Sequence, residues 1–524
     1  MKIKVYSLLV MLVLFSACKK DFLDRPSQNN PTLETYYSNA TEVNAATGLL
    51  YNTIWYDYID KAFHAMEVRA GNMYPNASIY TPYQLFTVSS TDAQVANSWG
   101  AFYKVAGAAT VLIKTFEEKK ALVSDQAYLV RGIAESRFIR AYAYFNLARS
   151  FGDVPIVTDP VGIASSGKFN VPRYKQADVL RFVLEDLQFA EANLGQTADA
   201  GRVTSLSATG MMAKVYLYLK DYTNAKAKAL QVISSGKYSL YPDYEKMFTS
   251  SSANNNQETL FALQWLAAGG YSIGNAMQIY IGPATLLKAA GGGFSTVVPS
   301  IDLLRAYEPG DLRRKGSIME QGFKRTDWVN SNFPNGFTYD TLKTVANGRN
   351  TETQISTASR SHSLKYIVGP GSATEMVNSG FSSINTYVLR YADILLIYAE
   401  AILGGGGSTS DAEALKAFNM VRHRAGFPVS ADKTSLDMTT ILHERRIEFA
   451  FEGGDYWFDI QRQGFGLAKI LVSAQERGPY SGSGVHVVDH ISANLSSESQ
   501  LFLPIPANEI TTNPELGKPA VAYY

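Results

Sequence analysis

Apolar residues recur at spacings of three and four through residues 131–149, which is the repeat of a helix that buries one face. Ala134, Phe138, Tyr142 and Phe145 lie on that face, and the charged residues of the segment fall largely outside it. A Gly-Asp-Val-Pro run follows and would stop a helix. The pattern therefore predicts one amphipathic helix over this segment.

A second apolar pattern covers residues 205–235 and breaks at Lys220-Asp221, which predicts two helices joined by a short turn. Small and aromatic residues in this pattern fall close to tetratricopeptide positions, and these residues are Ala213, Tyr216, Tyr222, Ala225 and Val232. The bulky residue expected at position 229 is alanine. The segment is therefore either a degenerate tetratricopeptide pair or an ordinary helical hairpin.

The remaining pattern divides the chain into a loop-rich middle and a helical end. Residues 250–385 are rich in Gly, Ser, Asn and Thr, which predicts long loops with one or two strands, and loops of that length usually bind something. Helical periodicity then returns in four segments, at 389–403, 410–425, 438–452 and about 455–463. The tail from Leu501 is proline-rich and predicted to be extended. The expected fold is mainly α, a tetratricopeptide-like scaffold of helical pairs with long loops and a few short strands.

The first residues have the pattern of a targeting segment. Lys2 and Lys4 precede an apolar run that ends in Phe-Ser-Ala before Cys18, the only cysteine of the chain. This order is typical of a bacterial lipoprotein signal that is cleaved before an acylated cysteine, and the alternative is a plain secretory signal. We expect a signal peptide at 1–17, a lipidated tether at 18–32 and a single domain at 33–524, with a helical part at 33–250 and a loop-rich and C-terminal part at 251–524.

Composition narrows the function classes. Of the 524 residues, 46% are hydrophobic and 18% are charged, which is an ordinary soluble balance. The formal net charge is +1, and nucleic-acid binding requires a basic surplus or stripe that is missing here. Aromatic residues reach 12%, with 32 tyrosines, and tyrosine suits both core packing and stacking on sugars.

Five segments in the second half resemble, in family order, the hallmarks of the SusD/RagB family, and they are 389–401, 418–426, 444–453, 455–462 and 503–510. The Asp-Phe-Leu-Asp run at 21–24 adds to the resemblance, whereas 517–519 departs from the usual ending. The resemblance implies a lipid-anchored, surface-exposed outer-membrane protein that captures oligosaccharides for a SusC-like TonB-dependent barrel. Capture of peptides by the same kind of complex is the alternative within the family. No enzyme activity, cofactor or metal is implied.

Charged residues of the closing helices are predicted to form a structural ion network, because an unpaired buried carboxylate costs several kcal/mol. Arg390 and Asp393 are three residues apart and can pair on a helix. Glu400 needs another partner, and the candidates are Arg422, Arg445 and Arg446. The expected members of the network are Arg390, Asp393, Glu400, Arg422, Arg445 and Arg446.

The sequence motifs that would indicate nucleotide binding or a zinc protease are incomplete. The Gly-rich run at 162–169 lacks the Ser or Thr of a phosphate-binding loop, and His443-Glu444 lacks the second histidine of a zinc protease. The remaining enzyme alternative is a helical-toroid glycoside hydrolase, which needs two carboxylates across a cleft. No such pair stands out, and we expect a binding protein without catalytic or metal-binding residues.

Sugar binding without hydrolysis needs flat aromatic rings and polar groups that meet hydroxyls. Trp328 lies with Asn330 in a polar segment without helical period and is the first candidate for stacking. In glycan-binding members of the family, the loop between early helices and the mid-chain loops form the site. The corresponding candidates are Tyr74, Asn76, Tyr80 and Tyr83.

Overall fold

The computed structural model describes residues 36–287, 290–339, 344–346, 351–353, 358–480 and 488–524, with the side chains of 344–346 and 351–353 left out. The predicted signal peptide, the lipidation of Cys18 and the tether at 18–32 lie outside the described residues and stay predictions.

Helices dominate the described chain. Helices α1 to α11 are Ala40–Gly48, Tyr56–Lys61, Phe63–Arg69, Thr81–Leu85, Ala93–Lys120, Ala127–Phe151, Pro160–Ser166, Gln176–Asn193, Ser205–Tyr218, Tyr222–Ser234 and Tyr244–Thr249. Helices α12 to α21 are Met277–Ile281, Ala284–Leu287, Ile301–Ala306, Leu312–Ser317, Tyr391–Leu403, Ala412–Arg424, Met438–Phe449, Asp455–Arg462, Phe465–Ser473 and Ala507–Thr512. The predicted mainly α fold class is confirmed. None of the helices in these ranges combines the length and the apolar character that crossing a membrane needs.

Local sequence explains where the main helices begin and end. Helix α6 ends just before Gly152, which adopts a φ of 74° that residues other than glycine rarely take. Helix α9 begins with a reciprocal cap between Thr204 and Ser207. The Asp221 carboxylate caps helix α10 by accepting from the backbone of Asn224, so the predicted break between the two helices is present.

Neighbouring helices pack as pairs along the chain, in the order α5, α6, α8, α9 and α10. Helix α16 then packs against α10 and brings the closing helices onto the same core. Gly210 allows the segment Thr259–Leu263 to lie close against α9, since a Cβ at position 210 would lie 2.7 Å from the side chain of Leu260. The buried apolar side chains form one large cluster from Leu50 to Leu516, with a small satellite around Phe116.

Strands are short and antiparallel. Strands β1 to β12 are Met73–Pro75, Thr259–Leu263, Val297–Pro299, Ile318–Met319, Lys324–Arg325, Phe337–Thr338, Thr344–Ala346, Thr351–Thr353, His362–Ser363, Val377–Asn378, Phe381–Ser382 and Thr386–Arg390. They pair as β1–β3, β2–β12, β4–β9, β5–β6, β7–β8 and β10–β11. The prediction of one or two strands in the middle was too low, because two-residue ladders leave no alternating pattern in the sequence.

The C-terminal tail also differs from its prediction. The segment after Leu501 is not extended throughout, because residues Ala507–Thr512 form helix α21. Pro506 precedes this helix with a φ of −57°, which suits a helix start.

Candidate functional site

Buried charges of the closing helices form two ion clusters. In the first, the guanidinium groups of Arg313, Arg390 and Arg424 converge on Glu448, with N–O distances of 3.1 Å from Arg313 and 2.9 Å from Arg390. In the second, named here the Asp393 cluster, Asp393 contacts Lys214 at 2.9 Å and Arg445 at 2.7 Å. The other members of the Asp393 cluster are Arg149, Glu400, Asp455, Asp459 and Arg462.

Two expected pairings within this network are wrong. Arg390 does not pair with Asp393, because it is the last residue of strand β12 and helix α16 begins only at Tyr391. Its guanidinium instead contacts Glu258, Glu448 and Glu452.

The partner of Glu400 is Arg462 of helix α19, with Nη2–Oε2 at 2.7 Å, and none of the three arginines expected from the sequence. Those three have other partners. Arg422 contacts Glu308 and Glu444, and Arg445 contacts Asp393 and Asp459. Arg446 contacts Asp302 at 2.7 Å.

These clusters have the properties of a framework. Burial disfavours the charged form of Glu448, but the attraction of Arg424, Arg390 and Arg313 outweighs it and lowers the pKa of that carboxyl. Glu400 behaves in the same way beside Arg462. A general acid of a glycosidase needs a raised pKa and access to substrate, and the buried, ion-paired carboxyls of Glu448 and Glu400 have neither.

Trp328, the first candidate for sugar stacking, is buried with 2% of its surface exposed. Its ring lies 6.0 Å from Phe323 and 5.9 Å from Phe337, and the Arg325 guanidinium covers it at 4.7 Å. The backbone at Gly369 approaches so closely that a Cβ there would lie 2.7 Å from the indole. The stacking role predicted for Trp328 is therefore wrong, since its faces are occupied by the protein itself.

The other candidates divide between packing and surface. Asn330 is half-buried, and its amide donates to the Leu286 carbonyl at 2.8 Å. Tyr80 and Tyr83 are buried, and Tyr83 donates to Asp92 at 2.9 Å. Burial and the Asp60 carboxylate raise the pKa of Tyr80 to about 12. The structure contradicts ligand contact by Tyr80 and Tyr83 because both rings are covered.

Tyr74 and Asn76 remain at the surface. Tyr74 is half-buried in strand β1, where it pairs with Val298. Asn76 is exposed, and its amide donates to the Ser295 carbonyl at 2.9 Å. This early segment is thereby joined to the mid-chain residues that follow Phe294.

Beside that junction lies an aromatic face, defined here as Tyr56, Tyr271, Tyr280, Phe294 and Phe381. Tyr271 is 68% exposed and Phe294 is 64% exposed. The Tyr271 ring lies 4.9 Å from Tyr56 and 6.3 Å from Phe381, and the Phe294 ring lies 6.2 Å from Tyr280. Exposed rings in such a group are unusual, because large apolar side chains are normally buried.

Backbone hydrogen bonds hold the aromatic face in place. Asn275 and Ser382 exchange two backbone bonds of 2.9 and 3.1 Å, which fixes the loop before α12 to the hairpin that carries Phe381. The Phe294 amide donates to the Ile279 carbonyl at 2.9 Å. The side-chain amide of Gln278 also donates to the Gly380 carbonyl at 3.0 Å. The rings therefore stand on loops that are tied to one another.

Asp60 links the two parts of the aromatic face. Its Oδ1 accepts hydrogen bonds from the hydroxyls of Tyr280 and Tyr56, the latter at 3.4 Å. Burial and then the Asp60 carboxylate raise the pKa of Tyr56, and burial and the hydrogen bond to Asp60 raise that of Tyr280. Both phenols thus stay protonated and oriented, and the face offers flat apolar surface beside polar atoms.

The sequence reading missed every ring of this face. Tyr271 lies between glycines at 270 and 274, and Phe294 directly follows three glycines at 291–293. An isolated aromatic residue within a glycine-rich loop has no neighbours with which to build a periodic apolar stripe. That isolation is the signal that could have identified both residues.

Comparison with known proteins agrees with this architecture. A sequence profile of the SusD family matches residues 257–523. The chain belongs to the SusD family. The resemblance noted from the closing motifs is thereby confirmed. A second profile, described as starch-binding associating with outer membrane, matches residues 21–217 of this SusD-family chain.

Relatives and solved structures of the SusD family extend the match over the whole chain. A SusD-like protein of Bacteroides ovatus is 30% identical, covering 100% of this chain and 98% of its own. SusD-like protein P2 of Formosa agariphila is 26% identical over 82% of this chain and 81% of its own. One crystal structure, described as with xylogluco-oligosaccharide, is 28% identical with a TM-score of 0.79, over 92% of this chain and 99% of its own.

Proposed function

We propose that this SusD-family chain captures an oligosaccharide on the aromatic face at the cell surface. The main observation in support of this proposal is the group of exposed rings, since Tyr271 and Phe294 present flat apolar surface on hydrogen-bonded loops. Sugar rings stack on such surfaces, and hydroxyls meet nearby polar atoms such as those of Asn76. The 28%-identical structure with xylogluco-oligosaccharide supports a glycan as the ligand.

The test compares two aromatic residues of similar exposure. The full chain, purified in detergent, is titrated by calorimetry with xylogluco-oligosaccharide and with an array of plant and algal oligosaccharides. Replacing Tyr271 by Ala removes a stacking surface worth about 1–3 kcal/mol, so we expect affinity to fall at least about fivefold. Phe169 is 55% exposed outside the aromatic face, and Phe169→Ala is the matched control that should bind normally.

Three results would count against this proposal. Equal loss of affinity in both variants would show that the aromatic face is not the site. Peptide binding without glycan binding would favour the alternative ligand class. Release of reducing sugar from a bound polymer would show turnover, which a capture protein does not perform.

Anchoring and transfer complete the proposal. Acylation of Cys18 would hold the chain at the outer membrane, and a SusC-like TonB-dependent barrel would receive the ligand. The lipoprotein-type pattern before Cys18 and the profile described as starch-binding associating with outer membrane support the anchor. The resemblance to the SusD/RagB family supports the barrel. Replacing Cys18 by Ser should release the chain from the membrane fraction, and a tagged chain should co-purify with a barrel of the TonB-dependent class. Release without the substitution, or purification of the chain without such a barrel, would contradict the respective part.

A further inference from the structure

Asp60 is the charged group at the centre of the aromatic face. It is half-buried near the end of helix α2, and both of its described hydrogen bonds run to the phenols of Tyr56 and Tyr280. Among the described residues no lysine, arginine or histidine forms an ion pair with it. Its negative charge is therefore not neutralised by a contact of its own.

The nearest basic residues along helix α2 and its neighbour are engaged elsewhere. Lys61 contacts Asp57 at 3.3 Å, and Lys104 of helix α5 contacts the same carboxylate at 2.9 Å. The pKa of the neighbouring phenol reflects this unneutralised negative charge. After burial, the strongest influence on the pKa of Tyr56 is the negative charge of Asp60, which raises it. At the neighbouring edge, the Asp489 carboxylate acts in the same direction on Tyr74.

We propose that Asp60 makes the aromatic face selective for neutral oligosaccharides and excludes sugars that carry carboxylates or sulfates. This proposal rests on the proposed function and adds the class of glycan. A sugar stacked on these rings would bring an acidic substituent close to Asp60. For two like charges roughly 7 Å apart at an effective dielectric constant of about 30, the repulsion weakens binding on the order of tenfold.

The decisive variant is Asp60→Asn. Both phenols donate to Oδ1, and asparagine keeps an acceptor oxygen at that position while losing the charge. The preference for a neutral oligosaccharide over its acidic counterpart should therefore fall on the order of tenfold. Asp57→Asn is the matched control, because it removes the same charge from the same helix at a residue whose contacts run to Lys61 and Lys104.

The experiment uses the full chain in detergent and paired probes. Xylogluco-oligosaccharide is compared with the same oligosaccharide oxidised at its primary hydroxyls to carboxylates, and laminarin oligosaccharides are compared with alginate oligosaccharides. Affinities are measured at low and high sodium chloride for the wild type, both variants and Tyr271→Ala. The wild type should prefer the neutral probe at low salt, and the preference should shrink at high salt because salt screens exposed charges.

Each outcome bears on the proposal. A preference that shrinks with salt, and that Asp60→Asn lowers while Asp57→Asn does not, supports it. The selectivity proposal is overturned if acidic probes bind as tightly as neutral ones and Tyr271→Ala weakens their binding. That result would leave the proposed capture of glycans on the aromatic face intact. Equal effects of the two asparagine variants also overturn it. If Asp60→Asn does not fold, the wild type alone provides the test. A preference for the neutral probe that does not shrink at high salt then overturns the proposal. A chain that binds no oligosaccharide overturns both proposals.

Discussion

Replacing Asp393 by Asn tests whether the Asp393 cluster is a balanced framework. The cluster contains four carboxylates and four cations, and Asp393 contacts two of these cations, at 2.9 Å for Lys214 and 2.7 Å for Arg445. The side chain of Asp393 is only 2% exposed. Asparagine keeps the shape and removes one charge, which leaves a buried excess of one positive charge. Breaking a buried ion pair in this way costs about 3–5 kcal/mol.

The same variant should change how stability depends on pH. Burial opposes ionisation of Asp393, but Lys214 and Arg445 outweigh it and lower its pKa in the folded chain. A carboxyl whose folded pKa lies below its unfolded value of about 3.9 stabilises the fold fully above that value. This contribution disappears as pH falls through the folded pKa. The variant should therefore lose less stability than the wild type on acidification below about pH 4.

Urea unfolding at pH 7 and pH 3, followed by tryptophan fluorescence and by far-ultraviolet circular dichroism, measures both effects. Asp57→Asn serves as the control, because its carboxylate is 31% exposed and surface pairs contribute only about 0–1 kcal/mol. The framework interpretation would be refuted if the free energy of unfolding fell no further for Asp393→Asn than for Asp57→Asn. If the free energy of unfolding changed equally with pH in the wild type and the variant, the inferred contribution of Asp393 ionisation to stability would be refuted.

Two further substitutions test packing. Trp328→Ala should lower the free energy of unfolding by about 3–5 kcal/mol, as for other buried aromatic residues, measured by urea unfolding; a selective loss of glycan affinity at unchanged stability would contradict its burial. Gly454 has a φ of 77°, and a Cβ there would lie 2.6 Å from the Met66 carbonyl carbon. Gly454→Ala should therefore lower the free energy of unfolding by well over the roughly 1 kcal/mol that a left-handed backbone conformation alone costs. Gly167→Ala is the control in thermal melts, since Gly167 has a φ of 66° and open space around it. Equal melting temperatures of the two variants would refute the steric argument.

Sequence periodicity predicted most of the helical scaffold. The segment predicted at 131–149 lies inside helix α6, and the break at Lys220-Asp221 separates α9 from α10. Periodicity succeeds here because each helix buries a stripe that its own residues define. It failed at Arg390, where strand β12 continues directly into helix α16 and no turn residue marks the boundary.

The binding surface was harder to predict. The early segment with Tyr74 and Asn76 does lie beside exposed rings, although the rings themselves were not identified. Trp328 was expected in an exposed loop, yet the backbone at Gly369 and the ring of Phe337 cover it. Whether an aromatic residue of a polar loop is exposed depends on distant segments, and periodicity contains no information about them.

By itself the sequence determined the class of the molecule, meaning a mainly helical scaffold, its family and the need for buried charges to find partners. Helix repeats, caps and ordered motifs are local, so one chain read from end to end reveals them. Only the tertiary structure decided which charges pair, and the ion pair between Glu400 and Arg462 is an example. It also decided which rings are exposed to solvent, as those of Tyr271 and Phe294 are. These outcomes depend on contacts between residues far apart in the chain, where packing and desolvation act on the whole fold.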